Sequence, residues 1–468
     1  MRNSILDKNS VNKIVIINMI STILLEGIAF FTIPIFTRIL GTEQYGYYSV
    51  YYSWVTIMAC ILGFGTGSTI GTGMYEFNKD YYKFRSSVLL FGTVLSIGTI
   101  SLILFFSPVM TNFLGYSFNL VLVLLFNSLA KYVISFFNNV CVYEREAVKN
   151  LVVSTTLSLT TVCLSIYFIS TNIFDEKYLG RVYGTAIPYV VIAIIVWILL
   201  FLKEKTALRK PYCKFAVTVG FPVVFHALAQ NILGQSDRVM MQMMGIASSE
   251  IGIYSLFYSL TMVLNTILST LNTSWCSFYY EDLDAQRWVK LDKKCKNYIE
   301  LFTVLTMGFL LLSREVSYFM ADSSYWSGIN VIPVLVFAVY FTFMYQFPVN
   351  FEFFHKKTNI VAIGTVSAAL MNIVLNAVMI PLWGMYGAAI ATAISYGGLF
   401  IMHYLIVTHM KGFSFHLKAW IFIPGLICVC LCTVLFYVLA DYTIVRWGLG
   451  VILGLFEIYR IYKRRAIF

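Results

Sequence analysis

Apolar residues run through this chain in long blocks, and short polar clusters divide one block from the next. About fourteen blocks reach roughly 20 residues, the length a helix needs to cross the hydrocarbon core of a bilayer. Their approximate centres are 14–38, 47–70, 86–107, 113–138, 151–170, 181–202, 215–243, 251–278, 299–319, 329–350, 359–380, 386–407, 419–440 and 443–460. A segment in lipid must satisfy its own backbone hydrogen bonds, so each block reads as a helix. The pattern predicts an all-α polytopic membrane protein with about fourteen transmembrane helices. Composition agrees: 59% of the residues are hydrophobic and 12% charged, against about 25% charged in a soluble domain. The chain lacks the charge to cover a water-facing surface.

Charge placement sets the orientation. The net charge of +11 suggests an anionic partner at first sight. Yet 26 of the 33 Lys and Arg fall in one alternating set of segments, which includes Lys203 to Lys214 and Arg287 to Lys296. The opposite set holds only Arg38, Lys177, Arg181, Arg314 and Arg446, and Lys131 and Arg238 lie inside helices. The positive-inside rule then puts both termini in the cytoplasm. The basic excess marks orientation and anionic headgroups, not nucleic acid. The first apolar run is too long for a signal-peptide core and has no small-residue cleavage site. The nine cysteines sit mostly inside apolar runs and read as packing residues rather than metal ligands or disulfides.

The chain repeats itself. Gly46-x-Tyr48-Ser49-x-x-Tyr52-Ser53 returns 206 residues later as Gly252-x-Tyr254-Ser255-x-x-Tyr258-Ser259. Gly41 has a counterpart in Gly245, and Tyr183-Gly184-x-Ala186 returns 203 residues later as Tyr386-Gly387-x-Ala389. Both copies run in the same direction, separated by an even number of helices. Parallel repeats about an axis along the membrane normal follow, with a substrate site expected between the halves. The charged linker from Lys203 to Lys214 is the natural seam. The expected organisation is a six-helix lobe at 1–205, a second at 206–410 and two additional helices at 411–468.

Polar residues inside apolar helices mark candidate chemistry. Glu26 shares a helix face with Asn18 and Thr22, and is either an ion-coupling carboxylate or a buried structural one. Arg38, at the outer end of that helix, either meets an anionic cargo or snorkels to the headgroups. Asn127, Lys131, Ser135 and Asn138 form one polar stripe, which faces a protein interior or an aqueous cavity. A structural pairing of Lys131 with Glu26 is the competing reading. On the seventh helix His226, Gln230 and Asp237 share one face, and Asn231, Gln235, Arg238 and Gln242 another. Two polar faces suit a helix beside a central cavity. Asn372 and Asn376 lie one turn apart on the eleventh helix. Five glycines between Gly63 and Gly73 loosen a helix or admit close neighbours; no Gly-Lys-Ser/Thr follows them and no strand precedes them, so a phosphate-cradling loop is a poor reading. No catalytic constellation or cofactor motif is visible, so the chain reads as a non-enzyme without a cofactor.

The motifs Pro34…Arg38-x-Leu40-Gly41…Tyr45-Gly46-x-Tyr48-Ser49, Asp237-Arg238…Gly252-x-Tyr254-Ser255 and Lys356-Lys357-Thr358…Asn372-x-x-x-Asn376…Ile380-Pro381-x-x-Gly384-x-x-Gly387-Ala388-Ala389-x-Ala391-Thr392 carry a resemblance. The chain resembles the polysaccharide transporter family of the multidrug/oligosaccharidyl-lipid/polysaccharide flippase superfamily. The resemblance implies two six-helix bundles around a V-shaped cavity and two extra C-terminal helices. It also implies an activity: moving a polyprenyl-diphosphate-linked oligosaccharide between leaflets of a bacterial cytoplasmic membrane. Related flippases place cations in the cavity, so Arg38, Lys131 and Arg238 become candidates for the diphosphate, though only Arg38 and Arg238 lie in matched motifs. Asn127, Asn231, Gln235, Asn372 and Asn376 are candidates for the glycan. Without a nucleotide site, a proton or sodium gradient is the expected drive, with Glu26 or Asp237 carrying the coupling ion. Membrane lipids and other polysaccharide-assembly proteins are the expected partners. A multidrug antiporter and a flippase for a lipid-linked peptidoglycan precursor are the alternatives.

Overall fold

The structure is a computed structural model that describes residues 8–410 and 415–464, with side chains described from residue 27 onward except residue 29. It is all-helical, with no strand among the described residues. In chain order the helices are α1 (Lys8–Leu62), α2 (Ile70–Glu76), α3 (Tyr81–Phe105), α4 (Ser107–Leu114), α5 (Phe118–Glu144), α6 (Ala147–Ser170) and α7 (Lys177–Leu202). Then come α8 (Lys210–Met243), α9 (Ser248–Asp284), α10 (Trp288–Met320), α11 (Ile332–Phe354), α12 (Thr358–Thr408), α13 (Ile423–Val438) and α14 (Thr443–Arg464).

Two of these are pairs of helices joined at a glycine. The 51 residues of α12 would extend about 75 Å as one straight helix, against a hydrocarbon core of about 30 Å. Gly384 breaks it with a φ of 53°. Gly41 breaks the 55-residue α1 in the same way, with a φ of 69°. Among the described residues nine helices are long and apolar enough to cross a membrane, or ten if the bent pair Phe30–Leu62 and Thr66–Glu76 is one span. The protein is therefore a multi-pass membrane protein. α10 and α14 lie outside that set. Both were expected to span, and both carry charges that pair with one another. Arg446 meets Glu315 at 2.5 Å, Arg464 meets Glu300 at 2.5 Å, and Arg460 also pairs with Glu300.

The chain forms two compact units. The first takes the described residues up to Leu40 and from Tyr47 to Val239. Its core is aromatic and β-branched: Tyr81, Phe84 and Val88 of α3 pack with Tyr132, Phe136 and Val140 of α5 and Val196 of α7. In the glycine-rich stretch, glycines let neighbouring helices approach closely. A Cβ on Gly63 would overlap the Tyr132 ring, and a Cβ on Gly73 the Phe84 ring. Gly65, at φ 67°, supplies the bend between α1 and α2. Near the ends of α3, α5 and α7, Arg85 is buried and pairs with Glu144 at 2.5 Å. Its guanidinium also donates to the Leu200 carbonyl at 3.1 Å.

The second unit takes Gly41 to Gly46 and the residues from Met240 onward. Its core packs Trp275 against Tyr298 with centroids 4.8 Å apart and stacks Phe302 on Phe343 at 4.4 Å. Here the repeated glycines meet. A Cβ on Gly46 would overlap the Ser248 carbonyl oxygen, and a Cβ on Gly252 would overlap the Thr42 carbonyl oxygen. Each partner of one contact is the repeat counterpart of a partner in the other. Gly41 and Gly245 both hold positive φ, 69° and 74°. Gly184 and Gly387, the other repeated pair, each sit against the backbone of the preceding helix: Ser165 for the first, Met379 for the second. The repeated residues are thus the ones whose lack of a side chain the packing uses.

Candidate functional site

The first unit presents a column of cations and tyrosines along the second half of α1. Tyr48 and Tyr52 are one helical turn apart, so their rings face the same way; they stack with centroids 6.1 Å apart. The Lys131 ammonium sits 4.2 Å from the Tyr52 ring centroid and donates to Thr56 Oγ1 at 2.7 Å. At the other end of the column the Arg181 guanidinium lies 3.3 Å from the Phe36 centroid and 5.1 Å from Tyr48. The Tyr48 hydroxyl lies 3.4 Å from Thr185 Oγ1. Among the described residues no carboxylate pairs with Lys131 or Arg181. Two Arg181 nitrogens, Nε and Nη1, are buried without a hydrogen-bond partner. Aromatic faces stabilise a cation by about 0.5–2 kcal/mol while leaving its charge unneutralised. An anion entering this column would find two cations held in place with N–H groups to spare.

Neighbouring polar groups are tied down. Asn127 is buried and donates to the Tyr51 hydroxyl at 3.3 Å. Ser53 donates to Gln235 Oε1 at 2.9 Å. The same oxygen lies 3.4 Å from Arg238 Nη1, which also donates to the Gly234 carbonyl at 3.0 Å. Asn231 donates back to the Ala227 carbonyl at 2.8 Å. Asp237 is fully buried and Arg238 nearly so, at 6% exposure. Arg38, by contrast, is exposed near the Gly41 break. The side chain of Glu26 lies outside the described residues.

In the second unit Asn372 and Asn376 are fully buried in α12. Asn376 donates to Asn372 Oδ1 at 3.1 Å, and Asn372 donates to Thr392 Oγ1 at 3.3 Å across the Gly384 break. The structure thus groups Lys131 and Asn127 on the α5 stripe, groups Gln235 with Arg238, and groups the two asparagines. Arg181 was counted with the outer loop cations by its sequence position, four residues after Lys177. Its spacing of four from Thr185 on α7 was the available signal that it lies on a helix face.

The model of the family described as polysaccharide biosynthesis protein matches residues 11–276. The chain belongs to this family. A relative from Haemophilus influenzae, described as an uncharacterized membrane protein, is 22% identical over 383 residues, covering 76% of this chain and 87% of its own. Among solved structures, the fold matches a lipid II flippase MurJ in an inward closed conformation. The TM-score there is 0.74 at 14% identity, over 96% of this chain and 99% of the other. It also matches an inward-facing multidrug resistance MATE family transporter of the MOP superfamily, with a TM-score of 0.64 at 15% identity over 89% and 98%. The chain therefore shares the fold of these flippase-type transporters.

Proposed function

We propose that this protein flips a polyprenyl-diphosphate-linked oligosaccharide from the inner to the outer leaflet of the bacterial cytoplasmic membrane, for assembly of a cell-surface polysaccharide. Family membership supports the class of cargo, and the pair Lys131 and Arg181, to which no carboxylate is paired among the described residues, carries the reading. A diphosphate in hydrocarbon is prohibitively costly without cationic, hydrogen-bonding partners. Arg238, with Arg38 nearer the outer surface, extends the cationic set. Asn127, Asn231, Gln235, Asn372 and Asn376 offer amides to the glycan, while the polyprenyl tail stays in lipid. In this reading the chain spans the membrane fourteen times with both termini cytoplasmic. Two parallel six-helix lobes, 1–205 and 206–410, alternate access, and residues 411–468 add two helices. A proton or sodium gradient drives the cycle, with Glu26 or Asp237 as the coupling carboxylate. Coupling through either is abandoned if Glu26→Gln and Asp237→Asn each keep the ion and pH dependence of transport.

The test is leaflet translocation in proteoliposomes with a fluorescent polyprenyl-diphosphate oligosaccharide. Flipping that weakens in Lys131→Ala and Arg181→Ala supports the reading and the site together. Flipping untouched by either variant keeps the cargo and discards the site. The likeness to a lipid II flippase favours a second reading, transport of a lipid-linked peptidoglycan precursor, and the MATE likeness a third, drug antiport. Translocation of one of those cargoes alone would replace the first reading.

A further inference from the structure

The second unit buries a histidine and a carboxylate against each other. Glu352, in the last turn of α11, and His403, on the second half of α12, are both completely buried. His403 Nδ1 lies 2.9 Å from one oxygen of the Glu352 carboxylate and 2.7 Å from the other. The opposite ring nitrogen, Nε2, is buried with no hydrogen-bond partner among the described residues. It points at Gly364 on the first half of α12, where a Cβ would overlap it. The Tyr345 ring, 5.1 Å from the imidazole, closes another side.

Two protonation states are open to such a pair. With Nδ1–H donating to the carboxylate and Nε2 bare, the pair carries one net negative charge in a fully buried site, which is unfavourable. One further proton, taken at Nε2 or shared with the carboxylate, makes the pair neutral overall. The orphaned Nε2 is therefore an acceptor with a vacancy for a single proton, and the pair holds that proton for as long as it stays dry. We infer that Glu352 and His403 form a proton-binding site, loaded while the pair is buried and unloaded when the helices around it part and admit water. This reading rests on the transport function proposed above for its role in a cycle, and on geometry alone for proton binding.

Other titratable groups lie on the same and adjoining elements. Tyr345 shares the pocket from α11. His355, Lys356 and Lys357 follow Glu352 beyond its helix, and His409 follows His403 beyond the end of α12. On α9 and α10, Asp282 is taken up by Arg287, Lys290 and Lys294, and His416 lies 3.8 Å from Asp292.

Nitrogen NMR tests the site without any cargo. The full chain, labelled at its five histidines, is titrated in nanodiscs from about pH 5 to 9, with the His403 signal assigned by its loss in His403→Gln. The His403 signal is expected to respond to pH, and Glu352→Gln is expected to change that response. A signal that stays constant throughout means a permanent clamp between helices and overturns the inference; the wild-type titration decides this even if a variant fails to fold. The second arm measures the pH profile of leaflet translocation with the fluorescent polyprenyl-diphosphate oligosaccharide. Glu352→Gln and His403→Gln are expected to flatten that profile, and a profile unchanged in both overturns the coupling. Absence of any flipping counts against the cargo and leaves the titration standing.

Discussion

Replacing Lys131 by methionine separates a cargo-binding cation from a structural one, because the two roles predict opposite signs for stability. The substitution keeps an unbranched stem and removes the ammonium. It gives up the 2.7 Å bond to Thr56, about 1.5–3 kcal/mol for a charged donor. It also gives up the contact with the Tyr52 ring at 4.2 Å, about 0.5–2 kcal/mol. Against these stands relief from desolvating a half-buried ammonium with no carboxylate partner among the described residues, worth a few kcal/mol at most. The terms nearly cancel, so Lys131→Met is expected to melt within a few degrees of wild type, or slightly above. Cargo affinity behaves differently. Losing one charge-assisted contact with a diphosphate weakens binding by about 1.5–3 kcal/mol, roughly 10-fold to 150-fold in apparent affinity. Thermal melting in detergent and the concentration dependence of flipping in proteoliposomes measure the two quantities. A variant that melts far below wild type and flips normally per folded molecule would refute the reasoning, since it would make Lys131 a structural strut.

Three further outcomes follow from the packing. Gly252→Ala places a Cβ on the Thr42 carbonyl oxygen; the helices must separate there, and a loss of about 1–3 kcal/mol is expected, seen as a lower melting temperature, while Gly308→Ala, with open space around it, serves as the neutral control. Arg446→Gln leaves Glu315 without the cation 2.5 Å away. It should cost about 3 kcal/mol and expose α14 to proteolysis, with Glu315→Gln in the same chain recovering part of the loss. His416 lies between Trp288 and Tyr279, and burial pulls it from its ordinary 6.5 down to about 4, against the opposing pull of Asp292. The unfolded chain therefore binds the extra proton first: this contribution is complete above pH 6.5 and is lost as pH falls toward 4, amounting to about 3 kcal/mol. His416→Phe keeps an aromatic ring there and should flatten the fall in melting temperature across that window; an equally steep fall would refute it.

What could be read from the chain, and what could not, divides along one physical line. Features written in one segment were legible. Apolar length marks helices because lipid enforces backbone satisfaction within each segment, and the helices appear where the blocks predict. The repeat was legible because packing imposed it twice. Gly46 and Gly252 are bare because each faces the carbonyl of a residue that is itself a repeat counterpart, Ser248 and Thr42. Features that need two distant segments were not legible. Glu352 stands in a run of aromatics ending in two lysines, and His403 stands alone 51 residues further on; neither signals the other. Arg181 followed Lys177 so closely that it counted as a loop charge, although α7 carries it onto a face against Phe36 and Tyr48. The partners of the charges on α10 and α14 were likewise not legible: Arg446 meets Glu315 and Glu300 meets Arg464 only once the fold brings the two helices together. A charged residue in an apolar helix announces that a partner exists, because burying it alone is so expensive. It does not announce which helix brings the partner. For Lys131 and Arg181, both half-buried, the described residues supply aromatic faces and no counter-ion, and that is why the proposed cargo contact is tested at these two positions first.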